Sequence, residues 1–197
     1  MHDLIRTLPL VVLMSLAGPA IAQETPTEEP APDPLALNMG NDPDGPGSIY
    51  VQSEHGDWEI RCIRTAEGTD PCQMYQLLAD GNGNPVSEIN VFPLGGEAGA
   101  EATAGATIVT PLETLLTAQL SLAVDQKGVK RYPFSWCSQI GCFARLGFTE
   151  EDVASFKAGK AAVVTIVPVA APDQRVNLTI SLIGFTAAYE EALKLQE

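Results

Sequence analysis

The sequence predicts an all-β domain made of two packed sheets, with a short helix near residues 150–158 and a second helix at the C-terminus. Three observations carry that reading. Apolar and polar residues alternate with a period of two in several separate stretches, the pattern of strands buried on one face. Helix-start signals stand at only two places. Four cysteines fall into two pairs that are close neighbours along the chain.

The cleanest alternation runs from Val176 to Leu182. Val176, Leu178, Ile180 and Leu182 point one way, and Asn177, Thr179 and Ser181 the other. Leu120, Leu122 and Val124 alternate with Gln119, Ser121 and Ala123, as Trp58, Ile60 and Cys62 do with Asp57, Glu59 and Arg61. Ile89 and Val91 mark a short strand, and Ala161 to Val169, apolar on both faces, reads as a central one. Tyr132, Phe134 and Trp136 share a face, but Pro133 between them lacks a ladder donor and requires an edge or a bulge. Such strands need a second layer over their apolar side, and two facing sheets are the simplest arrangement.

Thr149 followed by Glu150, Glu151 and Asp152 places a hydroxyl cap and three acids at a helix start, where free N–H groups and the dipole favour negative charge. Val153 and Phe156 share one face, Lys157 lies in the last turn and Gly159 ends the helix. Near the C-terminus, Thr186 is placed to cap a helix in which Tyr189, Ala192 and Leu193 share a face. Asp80-Gly81-Asn82-Gly83-Asn84 reads as a hairpin turn. Pro85 stands where a calcium loop needs glycine, and Val91 where it needs a bidentate glutamate. Gly95 to Gly105, rich in glycine and alanine, reads as a surface loop.

The chain of 197 residues fits one domain behind two leading segments. Residues 1–22 read as a secretory signal peptide: one Arg in the start, an apolar run from Leu8 to Leu16, and small residues at Ala20 and Ala22 before the expected cleavage. The run is about half the roughly 20 residues a membrane anchor requires. Residues 23–47 hold six prolines and six acids with no basic residue, the composition of an extended spacer. The folded domain is expected over 48–197. With a neutral leader and six acids in the spacer, its net charge falls from −14 to −8. That balance excludes nucleic acid as a partner, since phosphate binding needs a basic face, and opposes docking on anionic lipid. No later stretch is long and apolar enough to span a membrane.

Cys62 and Cys72 flank a turn at Gly68-Thr69-Asp70-Pro71, and Cys137 and Cys142 flank Ser138-Gln139-Ile140-Gly141. In an exported protein these spacings point to two local structural disulfides. A four-thiolate zinc site fits poorly, because such sites pair ligands two to four residues apart in both halves. A redox centre typically uses two intervening residues at a helix start, against four here between strands. His55 is the only histidine beyond the leader and reads as a strand-edge polar residue. No G-x-S-x-G nucleophile elbow and no phosphate-cradling G-x-x-x-x-G-K-[ST] is present. No catalytic, cofactor-binding or metal-binding residue is therefore assigned. The pairs Glu150-Glu151 and Glu190-Glu191 read as solvated helix exteriors, and the Tyr132/Phe134/Trp136 stripe as core packing before a binding groove.

Several of these residues recur as an ordered set: Gly56-Asp57-Trp58-Glu59-Ile60-Arg61-Cys62, Cys72-Gln73-Met74, Pro133-Phe134 with Cys137 and Gly141-Cys142, and Leu178 with Ile180-Ser181-Leu182, Gly184-Phe185 and Ala188. Thr110-Pro111-Leu112 and Leu122 with Val124-Asp125 lie between them. Over residues 55–190 the set resembles the invasion-associated locus B family of exported bacterial proteins. The resemblance implies an immunoglobulin-like β-sandwich in the periplasm or at the outer membrane of a Gram-negative cell. It also implies an association with host-cell entry in pathogenic relatives, and it supplies no catalytic residue to carry over.

The expected protein is thus a non-catalytic, disulfide-stapled sandwich without cofactor, periplasmic, outer-membrane-associated or secreted. Its expected partner is an envelope protein or surface component held at an exposed strand edge or loop face. Two alternatives stand beside it: a thiol–disulfide enzyme using Cys137 and Cys142, and a purely structural envelope component.

Overall fold

The computed structural model describes residues 42–95 and 101–196. The expected signal peptide, the spacer as far as residue 41 and the middle of the 95–105 loop lie outside the described residues. Residues 42–47 form turns, and the Gly47 N–H donates to the Arg64 carbonyl at 2.8 Å.

In chain order the elements are β1 (Ile49–His55), β2 (Trp58–Ile63), β3 (Cys72–Ala79), β4 (Pro85–Pro93), β5 (Ala104–Thr110), β6 (Leu120–Val124), β7 (Lys127–Tyr132), β8 (Phe134–Ser138), β9 (Gly141–Phe148), α1 (Glu150–Ala158), β10 (Ala161–Ile166), β11 (Val176–Ser181) and α2 (Phe185–Lys194). They form two open antiparallel sheets. The larger has seven strands in the order β1-β2-β3-β4-β5-β9-β8, and the smaller four in the order β11-β10-β6-β7. This is the two-sheet β architecture with two helices that the alternation predicts, and β10 lies inside its sheet as expected.

Alternation sets which side each strand buries. Trp58, Ile60 and Cys62 of β2, Met74 and Leu78 of β3, Ile89 and Val91 of β4, and Ala144, Leu146 and Phe148 of β9 all join one core. Leu120 and Leu122 of β6, Val164 of β10 and Leu178 and Ile180 of β11 face them from the smaller sheet. Both helices fill the same layer. Phe185 and Tyr189 of α2 pack with Phe156 of α1, and Trp58 meets Phe185 edge-on at 5.4 Å between ring centroids. Fully burying each such side chain is worth roughly 1.5–3 kcal/mol.

The chain passes between sheets three times, each time with a device readable in the sequence. After β5, Pro111 begins a crossing in which the buried Thr114 hydroxyl donates to the Pro111 carbonyl at 2.7 Å. Between β7 and β8, Pro133 interrupts the ladder and the chain changes sheet. The Tyr132/Phe134/Trp136 stripe is therefore divided. Tyr132 and Phe134 pack against the core, while a bulge between Phe134 and Trp136 sends Trp136 to solvent. After β9, α1 makes the third crossing. Its capping box is complete: the Asp152 N–H donates to Thr149 Oγ1, and the Thr149 N–H to the Asp152 carboxylate.

Two expectations require correction. Thr186 does not cap α2; Gly184 does, at φ +86°. A Cβ there would overlap the His55 carbonyl oxygen, so the close approach selects glycine over a hydroxyl cap. The inner face of α2 is accordingly Phe185, Ala188, Tyr189 and Ala192, and Leu193 is exposed. Gly105 lies inside β5 rather than in a loop, because the Phe92 ring occupies the space its Cβ would take.

Candidate functional site

Cys62 and Cys72 are directly opposed on β2 and β3, with sulfurs 1.94 Å apart. Cys137 and Cys142 are likewise opposed on β8 and β9, with sulfurs 2.04 Å apart. Both pairs thus lie at disulfide distance in the local pairing the spacing predicts. Strand register puts them far apart in the larger sheet, one across β2 and β3 inside the edge strand β1, the other across β9 and the edge strand β8, toward opposite ends of the strands. Cys72 begins β3, whereas Cys142 is aligned through Thr110 and Ser87 with Leu78, near the end of β3. The four sulfurs are therefore not gathered for one metal ion. Neither pair sits at a helix start; Cys137 is exposed and Cys142 buried.

His55 ends β1 and meets α2. Its Nε2 lies 2.5 Å from Glu191 Oε2, and the Ser53 hydroxyl donates to Glu191 Oε1 at 2.7 Å. Those bonds, from Ser53 first and His55 second, hold the Glu191 carboxyl below its ordinary range. Ser53 also approaches the same His55 nitrogen, at 3.4 Å. A serine–histidine–acid relay needs the acid on one ring nitrogen and the serine on the other. Here both use Nε2, and the arrangement latches α2 to an edge strand. Glu191 is 136 residues from His55, so no local spacing pointed to it.

A second junction involves residues of the first and last sequence motifs. Trp58 Nε1 donates to the Ser181 carbonyl at 2.8 Å, and the Ser181 hydroxyl donates to Asp57. Buried Gln76 completes it: its amide donates to the carbonyls of Asp57 and Ser181 and accepts from the Ser181 N–H at 2.7 Å. Gly56, at φ +60°, lies where a Cβ would stand 2.6 Å from the Ile183 carbonyl oxygen. The junction ties the two sheets together and leaves its polar groups satisfied.

The outer face of the larger sheet is different in kind. Core, helices and smaller sheet all lie on its other side, so the alternate residues turn outward. One outward row reads Leu77, Glu88, Val109, Phe143 and Trp136 across β3, β4, β5, β9 and β8. Trp136 stacks on Phe143 with centroids 4.8 Å apart and an interplanar angle of 10°. Leu77 is 56% exposed, Trp136 48%, and Ile140 at the β8–β9 hairpin tip 77%. A neighbouring row carries Tyr75, over whose ring the Arg61 guanidinium lies at 3.2 Å. The Asp80 turn is the hairpin expected, with Asp80 accepting from the backbone N–H groups of Asn82 and Asn84.

Fold and cysteine placement define a two-sheet β protein with two well-separated cysteine pairs in a sheet that is open on one face. A family model described as invasion associated locus B (IalB) protein matches residues 58–193, and the chain belongs to that family. Two relatives from Brucella abortus, the invasion protein B homologs of strain 2308 and of biovar 1 strain 9-941, are each 28% identical over 144 residues. Those matches cover 73% of this chain and 80% of each relative. The crystal structure of invasion associated protein b from Bartonella henselae matches with a TM-score of 0.60 at 22% identity, covering 73% of this chain and 96% of that one. That likeness is one of fold.

Proposed function

We infer that the protein is an exported, non-catalytic binding domain of the bacterial envelope, held together by two structural disulfides. The observation that carries the reading is the uncovered outer face of the larger sheet, with Trp136, Leu77 and Ile140 presented to solvent. Exposed apolar surface of this kind marks interaction sites in soluble proteins. Family membership, the signal-peptide pattern of residues 1–22 and the two cysteine pairs support an oxidising compartment, periplasmic or beyond. The invasion-protein names of the Brucella relatives support a role in host-cell entry. In-cell crosslinking with mass spectrometry tests the reading, and fractionation with N-terminal sequencing tests export. The expected result is a reproducible envelope partner and a mature chain beginning at Gln23. No specific crosslink, or an uncleaved cytoplasmic chain, overturns it.

One observation, the exposure of Cys137 beside buried Cys142, favours a second reading as a thiol–disulfide enzyme. The reduction potential of that pair separates the two. A value below about −300 mV marks a structural bond, and a markedly higher one marks an exchanging pair.

A further inference from the structure

The inner face of β7 carries charge where its neighbour buries apolar residues. Strand register sets Lys127, Lys130 and Tyr132 opposite Val124, Leu122 and Leu120 of β6, so two lysines stand on the side that faces the core layer. The layer stays open there. Between β7, the end of β6 and α1 lies a cleft of about 420 Å3, within the roughly 300–1,000 Å3 typical of small-ligand sites. Its floor is apolar. Leu122, Val124 and Tyr132 lie over Phe148 and Phe156, whose ring centroids are 5.0 Å apart.

Five charged side chains line the cleft, Asp125, Lys127, Lys130, Glu151 and Asp152, and three of them are committed. Lys130 Nζ lies 2.6 Å from both carboxylate oxygens of Asp152, which also accepts from the Thr149 N–H. Asp125 accepts from the Lys160 and Ala161 N–H groups. Lys127 and Glu151 remain, since the three ion pairs among the described residues include neither. These two stand toward opposite ends of the cleft. Glu151 precedes Asp152 at the start of α1, beside Lys130. Lys127 stands opposite Val124, which the other end of α1 approaches: a Cβ on Gly159 would lie 2.7 Å from Val124 Cγ1. The strand partners of Lys127 and Lys130 are two residues apart on β6, about 7 Å at the rise of a strand. An extended dipeptide has the same length, about 7 Å. Edge protection accounts for lysines on β7, and the helix dipole for acids on α1. Neither accounts for an apolar cleft with an unpaired cation toward one end and an unpaired anion toward the other.

We propose that this cleft binds an apolar dipeptide with free termini. Glu151 meets its ammonium, Lys127 its carboxylate, and one apolar side chain packs against Val124 and the Tyr132 ring over the two phenylalanines. The site lies on the core side of the larger sheet, and it does not rest on the bare outer face.

The test titrates the mature, oxidised protein with Ala-Phe, read by amide chemical shifts and calorimetry. Saturable shifts are expected in β7 and α1. Ala-Ser should bind about tenfold more weakly or worse, for want of an apolar side chain. Acetyl-Ala-Phe and Ala-Phe-amide should each lose up to about fivefold, the range of a solvent-exposed ion pair. Lys127→Gln should erase the difference between Ala-Phe and Ala-Phe-amide, and Glu151→Gln that between Ala-Phe and acetyl-Ala-Phe. A merely structural role for either residue would leave those differences in place. Ser155→Trp, at an exposed helix position lining the cleft, should block binding while its melt matches wild type. No saturable shift up to about 10 mM Ala-Phe overturns the proposal. So do equal binding by the capped and free peptides, and shifts confined to the outer face of the larger sheet. Envelope crosslinks are a separate measurement, so this site and the binding reading above can fail independently.

Discussion

At the residue scale, Gln76 is the polar side chain on which the most depends. It is buried, and its bonds to Asp57 and Ser181 satisfy backbone groups at the junction of the two sheets. Gln76→Leu keeps the size and adds apolar character, yet removes the partner of the Ser181 N–H and of the Asp57 carbonyl, while the Ser181 carbonyl keeps its bond from Trp58. The expected loss is about 2–3 kcal/mol, read from urea unfolding. Glu191 makes a smaller, pH-dependent contribution. Its folded pKa is depressed, so the stabilisation is fully present above the ordinary value of 4.5 and disappears as pH falls through the lower folded value. Wild type should exceed Glu191→Gln by up to about 1 kcal/mol at neutral pH, since the group is partly solvated. The gap should close below pH 4.5, which denaturation at a series of pH values will show. Neither residue was legible in the sequence as a hub. A glutamine in a strand looks ordinary, and Glu191 sits on a helix whose neighbours are solvated; both acquire their partners through long-range folding.

At the element scale, local chemistry was legible wherever one turn of chain decides the outcome. The Thr149 cap of α1 formed as its spacing predicts, with Asp152 closing the box. The β6–β7 turn at Asp125 and Gln126, which the sequence reading did not single out, has both residues at positive φ, at 46° and 62°. Asp125 does more than turn the chain. Its carboxylate accepts from the Lys160 and Ala161 N–H groups, joining the hairpin to the start of β10. Thr149→Ala should cost about 1 kcal/mol and lower the melting temperature measurably. What local rules missed was set from a distance. The start of α2 is dictated by the His55 carbonyl, and Gly105 by the Phe92 ring. The aromatic stripe around Pro133 was divided because proline ends one sheet's ladder and begins another's.

For the molecule as a whole, the two cysteine pairs close loops of separation 10 and 5 in distant parts of one sheet. The chain-entropy account assigns each on the order of 2–3 kcal/mol. Reduction should therefore lower stability by a few kcal/mol, and alkylation should label no thiol before reduction and four afterwards. Intact mass paired with thermal unfolding checks both. The two-sheet arrangement was predictable because period-two burial leaves each strand needing a facing layer. Which face stays bare was not, since that depends on where both helices and the smaller sheet come to rest.

That one-sidedness gives the molecule a front and a back. The core, both helices and the smaller sheet lie behind the seven strands, so a substitution at an outward position such as Asn90 or Thr107 alters the front without touching a core side chain. A label or solid support attached at Glu190, exposed on α2, leaves the front in solvent. The same attachment at Thr107 hides it. Orientation on a surface therefore becomes a control in its own right: a partner that meets the front will be captured in the first geometry and lost in the second.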